Sequence, residues 1–150
     1  MLERCRSLYE ARTVNEQREN TLSGYTIVNL MEIENGAVEG GSTLDARVAR
    51  AHIDSEHLGV SHFRYAPSRR SSKGHSHRSQ EEVYVVLGGS GRVKLDDELF
   101  DLRQWDVVRV APATVRGFAA GPDGLELLAI GSDRPEGGDG VLADDGWWDN

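Results

Sequence analysis

The feature that most limits how this chain can fold is its punctuation. From Tyr25 onward it is written in short apolar segments, each closed by turn residues. Segments 25–33, 47–53, 60–66, 83–87, 92–95, 99–102, 107–110, 115–119 and 125–130 read as strands, with only weak alternation in 47–53. Asn35-Gly36, Pro67, Gly88-Gly89-Ser90-Gly91, Asp96-Asp97 and Gly121-Pro122-Asp123-Gly124 read as the breaks between them. Strands of about five residues with a turn every 8–12 predict an antiparallel sandwich or barrel. Seventeen glycines against four prolines fit that many tight turns. A length of 150 residues is one ordinary domain. Three parts are expected: a polar N-terminal extension (1–24), a barrel (25–131) and an acidic Gly/Asp/Trp tail (132–150). The extension reads equally as a short helix or an unstructured arm. In the tail, Trp147-Trp148 is too apolar to stay in water and is expected to dock on the barrel or on a partner chain.

Charge removes several classes of function. The net charge is −8, and a net-acidic chain lacks the phosphate-neutralising field of a nucleic-acid binder. The one basic stretch, 61–80, carries five bases (Arg64, Arg69, Arg70, Lys73, Arg78) and no acid. Arg69, Arg70 and Lys73 on its loop are the expected anion-steering, substrate-binding residues. The longest aliphatic and aromatic run, Val83-Tyr84-Val85-Val86-Leu87, is far short of a membrane span. A single cysteine, Cys5, excludes an internal disulfide and a thiolate zinc site. A cytoplasmic protein without nucleic-acid or membrane partners is expected.

Chemistry concentrates in 74–89. His75 and His77 are two apart, which on a strand puts both imidazoles on one face. A carboxylate, Glu81 or Glu82, follows after a turn at the start of the next strand. Two neutral imidazoles and a carboxylate suit zinc, iron, manganese, nickel or copper(II). Each feature alone is ordinary: His-x-His occurs in polar loops, and a Glu-Glu pair is commonly a solvated edge. Their spacing before an apolar strand and a glycine turn sets them apart.

This segment resembles the first motif of the cupin superfamily, G-x5-H-x-H-x(3,4)-E-x6-G. His75 and His77 match its histidines, and Glu82 matches its glutamate six residues before Gly89. Glu81 fits the looser spacing to Gly88; Glu82 is preferred because Val86-Leu87-Gly88-Gly89-Ser90-Gly91 is similar to the family's V-L-x-G-x-G. The second motif overlays Trp105 to Ala120 in frame but is degenerate: Trp105, Ala111, Ala113 and Ala120 replace family residues, and Arg116 stands where the last ligand histidine belongs. The resemblance implies an all-β fold, a double-stranded β-helix or jelly-roll barrel, with His75, His77 and Glu82 as metal ligands inside it. The strand 83–87 is apolar on both faces, so its outer face is expected to be covered by the N-terminal strand 25–33, by its counterpart from another subunit, or by both; a homodimer, common in the family, is the expectation.

Arginine cannot ligate a cation. Arg116 therefore reaches past the metal to bind an anionic substrate, pairs with Glu82 in its place, or extends to the barrel mouth and is solvated there. The leading expectation is a small cupin holding zinc, nickel, iron or manganese and an anionic metabolite. If it is an enzyme, the resemblance implies a metal-dependent dioxygenase or a sugar-phosphate isomerase or epimerase, with Tyr84 and Arg116 as candidate catalytic residues. The alternative is a non-enzymatic binding or sensing module whose metal site has decayed.

Overall fold

The structure, a computed structural model, describes residues 24–37 and 43–149, so most of the N-terminal extension lies outside it. Eight strands follow one another: β1 (Leu44–Val48), β2 (Gly59–Tyr65), β3 (His75–His77), β4 (Glu82–Leu95), β5 (Glu98–Arg103), β6 (Val107–Val110), β7 (Arg116–Gly131) and β8 (Gly140–Leu142). No α-helix occurs among the described residues, only 3-10 turns at Leu30–Glu32, Arg50–His52 and Trp147–Asp149. None is long or apolar enough to cross a membrane.

All pairings are antiparallel, and the long strands β4 and β7 organise them. They run together from Glu82↔Gly131 to Leu95↔Arg116. The Glu82 end of β4 also pairs with β6, and the Gly131 end of β7 with β2, which β1 flanks. At the opposite end β4 pairs with β5, and β7 meets β3, which pairs with β8. One curled sheet thus folds into two layers around Tyr65, Tyr84, Val86, Val93, Phe118 and Leu127. This is the expected double-stranded β-helix.

The glycine runs expected as turns lie inside strands instead. Residues 83–87 and 92–95 are both part of β4, and 115–119 and 125–130 fall largely within β7. The turn chemistry is absorbed as irregularity, because Gly121, Pro122, Asp123 and Gly124 all face Ser90 between Gly89↔Leu125 and Gly91↔Ala120. Gly89 has a φ of 72°, and a Cβ there would lie 2.1 Å from the Gly124 carbonyl oxygen. Only glycine lets the two backbones cross so closely where each strand passes between layers. Asp96-Asp97 does form the expected two-residue hairpin, between Leu95 and Glu98.

Two expected strands are corrected. Segment 25–33 is not extended throughout: Asn29 Oδ1 accepts the Met31 N–H and turns Leu30–Glu32 into a 3-10 turn. Segment 47–53 holds only the end of β1, because the Ala49 carbonyl accepts both His52 and Ile53 N–H groups. The tail docks on the barrel of its own chain. β8 runs beside β3, pairing His77 with Gly140. The Trp148 indole donates to the Ser71 carbonyl (2.8 Å), while the Trp147 ring packs so closely on Gly117 that a Cβ there would lie 2.9 Å away.

Candidate metal centre

Alternation on β3 sends His75 and His77 to the same side, their ring centroids 5.2 Å apart and nearly perpendicular. Glu82 opens β4 and meets them. One donor atom from each of the three residues lies within 4.8 Å of the others. His77 Nε2 is 3.3 Å and His75 Nε2 3.8 Å from Glu82 Oε2. Glu81 points away and is held by Arg109 on the surface. The carboxylate beside the histidines is therefore that of Glu82.

Glu82 is held ionised. Burial opposes its charge, but hydrogen bonds with His75 and Tyr84 and the fields of His77 and Arg116 outweigh it, bringing its pKa to about 2. The Tyr84 hydroxyl donates to Glu82 Oε2 in a short hydrogen bond. Burial, reinforced by that carboxylate, raises the tyrosine well above its ordinary value. Tyr84 is thus committed to orienting Glu82.

Arg116 is fully buried and approaches from behind, with Nε 3.6 Å from Glu82 Oε2. Its remaining N–H groups donate to the carbonyls of His75 (3.2 Å), Pro112 (3.4 Å) and Ala111 (3.4 Å). It braces β3 against the 111–112 loop and does not line the cavity in front of the histidines. It thus stands where the sequence placed its alternative role, beside Glu82, with most of its fork donating to backbone carbonyls.

That cavity has a volume of about 230 Å³. His75, His77, Glu82 and Tyr84 line it, together with Arg50 and Arg134. The anion-steering residues expected from the sequence are elsewhere. Lys73 pairs with Asp145 (2.6 Å), Arg70 pairs with Asp149 (3.4 Å) and lies over the Trp148 ring, and Arg69 is exposed outside the cavity. The neighbours of Lys73 and Arg70 in space are acids of the tail, which the charge balance alone did not place.

A further residue escaped the sequence. Asp139, from the tail, is 1% exposed and accepts four hydrogen bonds. Oδ1 takes His77 Nδ1 (2.8 Å), and Oδ2 takes Ser79 N (2.8 Å), Ser79 Oγ (2.9 Å) and Gln80 N (2.9 Å). Burial works against its charge, but those donors prevail and hold the carboxyl well below its usual range. Nothing near Asp139 in sequence marks it; only the expected docking of the tail could have pointed to it.

Two buried atoms of this centre have no hydrogen-bond partner: His77 Nε2 and Arg116 Nε. With Nδ1 facing Asp139, His77 Nε2 faces Glu82 Oε2 at 3.3 Å, where either a proton on the ring or a metal between the two would stabilise the contact.

Residues 61–131 match the family model for the cupin domain. A cupin protein from Bacteroides fragilis superposes with a TM-score of 0.62 at 22% identity, covering 73% of this chain and 85% of that one. An uncharacterized conserved protein with a double-stranded β-helix domain, from Klebsiella pneumoniae, does so with a TM-score of 0.62 at 16% identity, covering 79% and 97%. An uncharacterized protein from Methanocaldococcus jannaschii is 38% identical over 40 residues, which span 27% of this chain and 32% of that protein.

Proposed function

Residues 61–131 being a cupin domain, we propose that the chain binds one divalent transition metal through His75, His77 and Glu82 and a small anionic ligand in the adjoining cavity. The observation that carries the metal is the buried, partnerless Nε2 of His77, aimed at a carboxylate beside a second imidazole. Two imidazoles and one carboxylate are a donor set for zinc, nickel, iron or manganese, with positions left for a ligand. When bound, such a metal polarises and orients an oxygen-bearing ligand. The chain's own groups do the rest. Tyr84 fixes the Glu82 carboxylate, Arg116 fixes the backbone of His75, and Arg50 and Arg134 supply positive charge to the cavity. Arg134 and Arg50, the latter held in place by the Gly131 and Ser132 carbonyls, support the anionic ligand. The test is metal analysis of the purified protein followed by zinc titration. About one metal per chain is expected, and a wild type that takes up none would end the reading.

A second reading has its own observation. Arg116 Nε lies 3.6 Å from Glu82 Oε2, so the pair could stand in place of a metal, with a proton on His77 between Asp139 and Glu82. The cavity would then serve a metal-free binding or sensing module. The same titration separates the two.

The proposal includes a homodimer. The outer face of one layer is apolar across neighbouring strands: Val83 and Val85 of β4 stand beside Ile130 and Leu128 of β7, and Val85 beside Val107 of β6. Val107 is 64% and nearby Trp105 69% exposed. A second copy is the natural cover for such a face. Size-exclusion chromatography with light scattering should give twice the chain mass, and a monomer at micromolar concentration would contradict it. The single cysteine of the sequence supports a cytoplasmic setting.

A further inference from the structure

A histidine binds a metal through whichever ring nitrogen lacks a proton, and the hydrogen bond made by the other nitrogen decides which that is. At His77 that decision is made by a residue 62 positions away. Oδ2 of Asp139 accepts three donors and Oδ1 lies 2.8 Å from His77 Nδ1, so the carboxylate accepts at both oxygens and the ring proton in that contact sits on Nδ1. In the neutral ring Nε2 is then the nitrogen left for a metal, and it faces the cluster with no hydrogen-bond partner. The aspartate is itself over-determined. Its second oxygen accepts from Ser79 N, Ser79 Oγ and Gln80 N, and the next residue, Gly140, opens β8, which pairs with β3 through His77. Among the described residues the acid that His75 contacts is Glu82, within the cluster.

We propose that Asp139 is the positioning residue of the centre, committing His77 to bind metal through Nε2, so that the tail segment carrying it completes the site. The inference rests on the metal reading above, but its most direct consequence is visible without a metal. Asp139→Asn is the sharp variant. The three donors at Oδ2 can be met only by the oxygen of the new amide, which turns its NH₂ toward His77 Nδ1. That NH₂ must donate, so the ring proton moves to Nε2 and points at Glu82, 3.3 Å away. The substitution keeps size and shape while reversing the polarity of one hydrogen bond.

The experiment is ¹⁵N-resolved imidazole NMR of the metal-free protein, at a pH where the ring is neutral, together with zinc titration of the same samples. In the wild type, His77 should carry its proton on Nδ1. In Asp139→Asn it should carry it on Nε2, and zinc affinity should fall about 10–100-fold, the usual effect of removing a partner of a ligand histidine. Asp133→Asn, on the exposed part of the tail, should change neither. Asp139→Ala gives a check without the reversed donor: zinc affinity falls while neither tautomer is enforced. A wild-type His77 protonated on Nε2, or an Asp139→Asn protein with unchanged tautomer and affinity, would overturn the proposal. A wild type that binds no zinc yet shows the tautomer switch would refute the metal reading and leave the positioning role standing.

Discussion

The basic loop 69–73 and the ligand segment 75–82 adjoin in sequence, and the same C-terminal tail contacts both, with opposite consequences. On the loop, Asp145 and Asp149 meet Lys73 and Arg70 in water; all four side chains are substantially exposed. On the ligand segment, Asp139 is shut away from solvent and its carboxylate is filled by four hydrogen bonds from protein donors. Exposed ion pairs contribute little, because solvent already satisfies the separated charges. Buried, charge-assisted hydrogen bonds fix geometry, because the groups have no alternative partner. One tail thus neutralises a surface at one place and defines a site at another, and burial makes the difference.

The strongest way to break that contrast is on the buried side. Arg116→Ala takes a buried cation from beside Glu82 and removes the arginine donor of the His75 carbonyl. It should cost on the order of 3–5 kcal/mol in chemical denaturation; a loss near zero would mean that Arg116 braces nothing. The same carboxylate can be read by acid. Its pKa is lowered from 4.5 to about 2, so the folded state binds this proton less readily than the unfolded chain. Its contribution is therefore complete above about 4.5 and is lost as the pH falls toward 2. Glu82→Gln should flatten the stability profile across that window, and an unchanged slope would remove Glu82 from the account.

Next in size is the tail's apolar anchor. Trp147 packs on Gly117 and covers the buried Lys94, whose ammonium lies 4.7 Å from its ring centroid. Trp147→Ala should cost about 2 kcal/mol, the order expected for a half-buried aromatic side chain. If tail docking completes the centre, it should weaken zinc binding as well. A stability loss with unchanged zinc affinity would separate the anchor from Asp139. The smallest effect belongs to the loop. Lys73→Ala and Arg70→Ala should leave the unfolding midpoint in place and the zinc affinity unaltered. A drop in affinity from either would restore the loop to the site.

Much of this molecule can be read in its sequence, and the rest is hidden for identifiable reasons. His-x-His two residues apart and Glu82 ahead of an apolar strand sufficed for three clustered donors, because strand alternation is a local rule. Arg116 fell opposite His75 because the spacing of the second motif survives its substitutions. The continuity of β4 and β7 was hidden because Gly88–Gly91 and Gly121–Gly124 have the composition of turns; whether glycines end a strand or let two strands cross depends on what lies opposite. Segment 25–33 has the apolar content of a strand, and one side-chain cap at Asn29 redirects it. Asp139 was invisible because its role comes from a partner 62 residues away in a stretch with the composition of a loose tail.

Whether this barrel holds a metal at His75, His77 and Glu82 is decided by zinc titration of the metal-stripped wild type beside His77→Ala. About one zinc per wild-type chain and none for the variant are expected, since two remaining ligands do not compete with water and chelator. A wild type that binds no zinc, or a variant that binds it as well as the wild type, would contradict a metal held by these three residues.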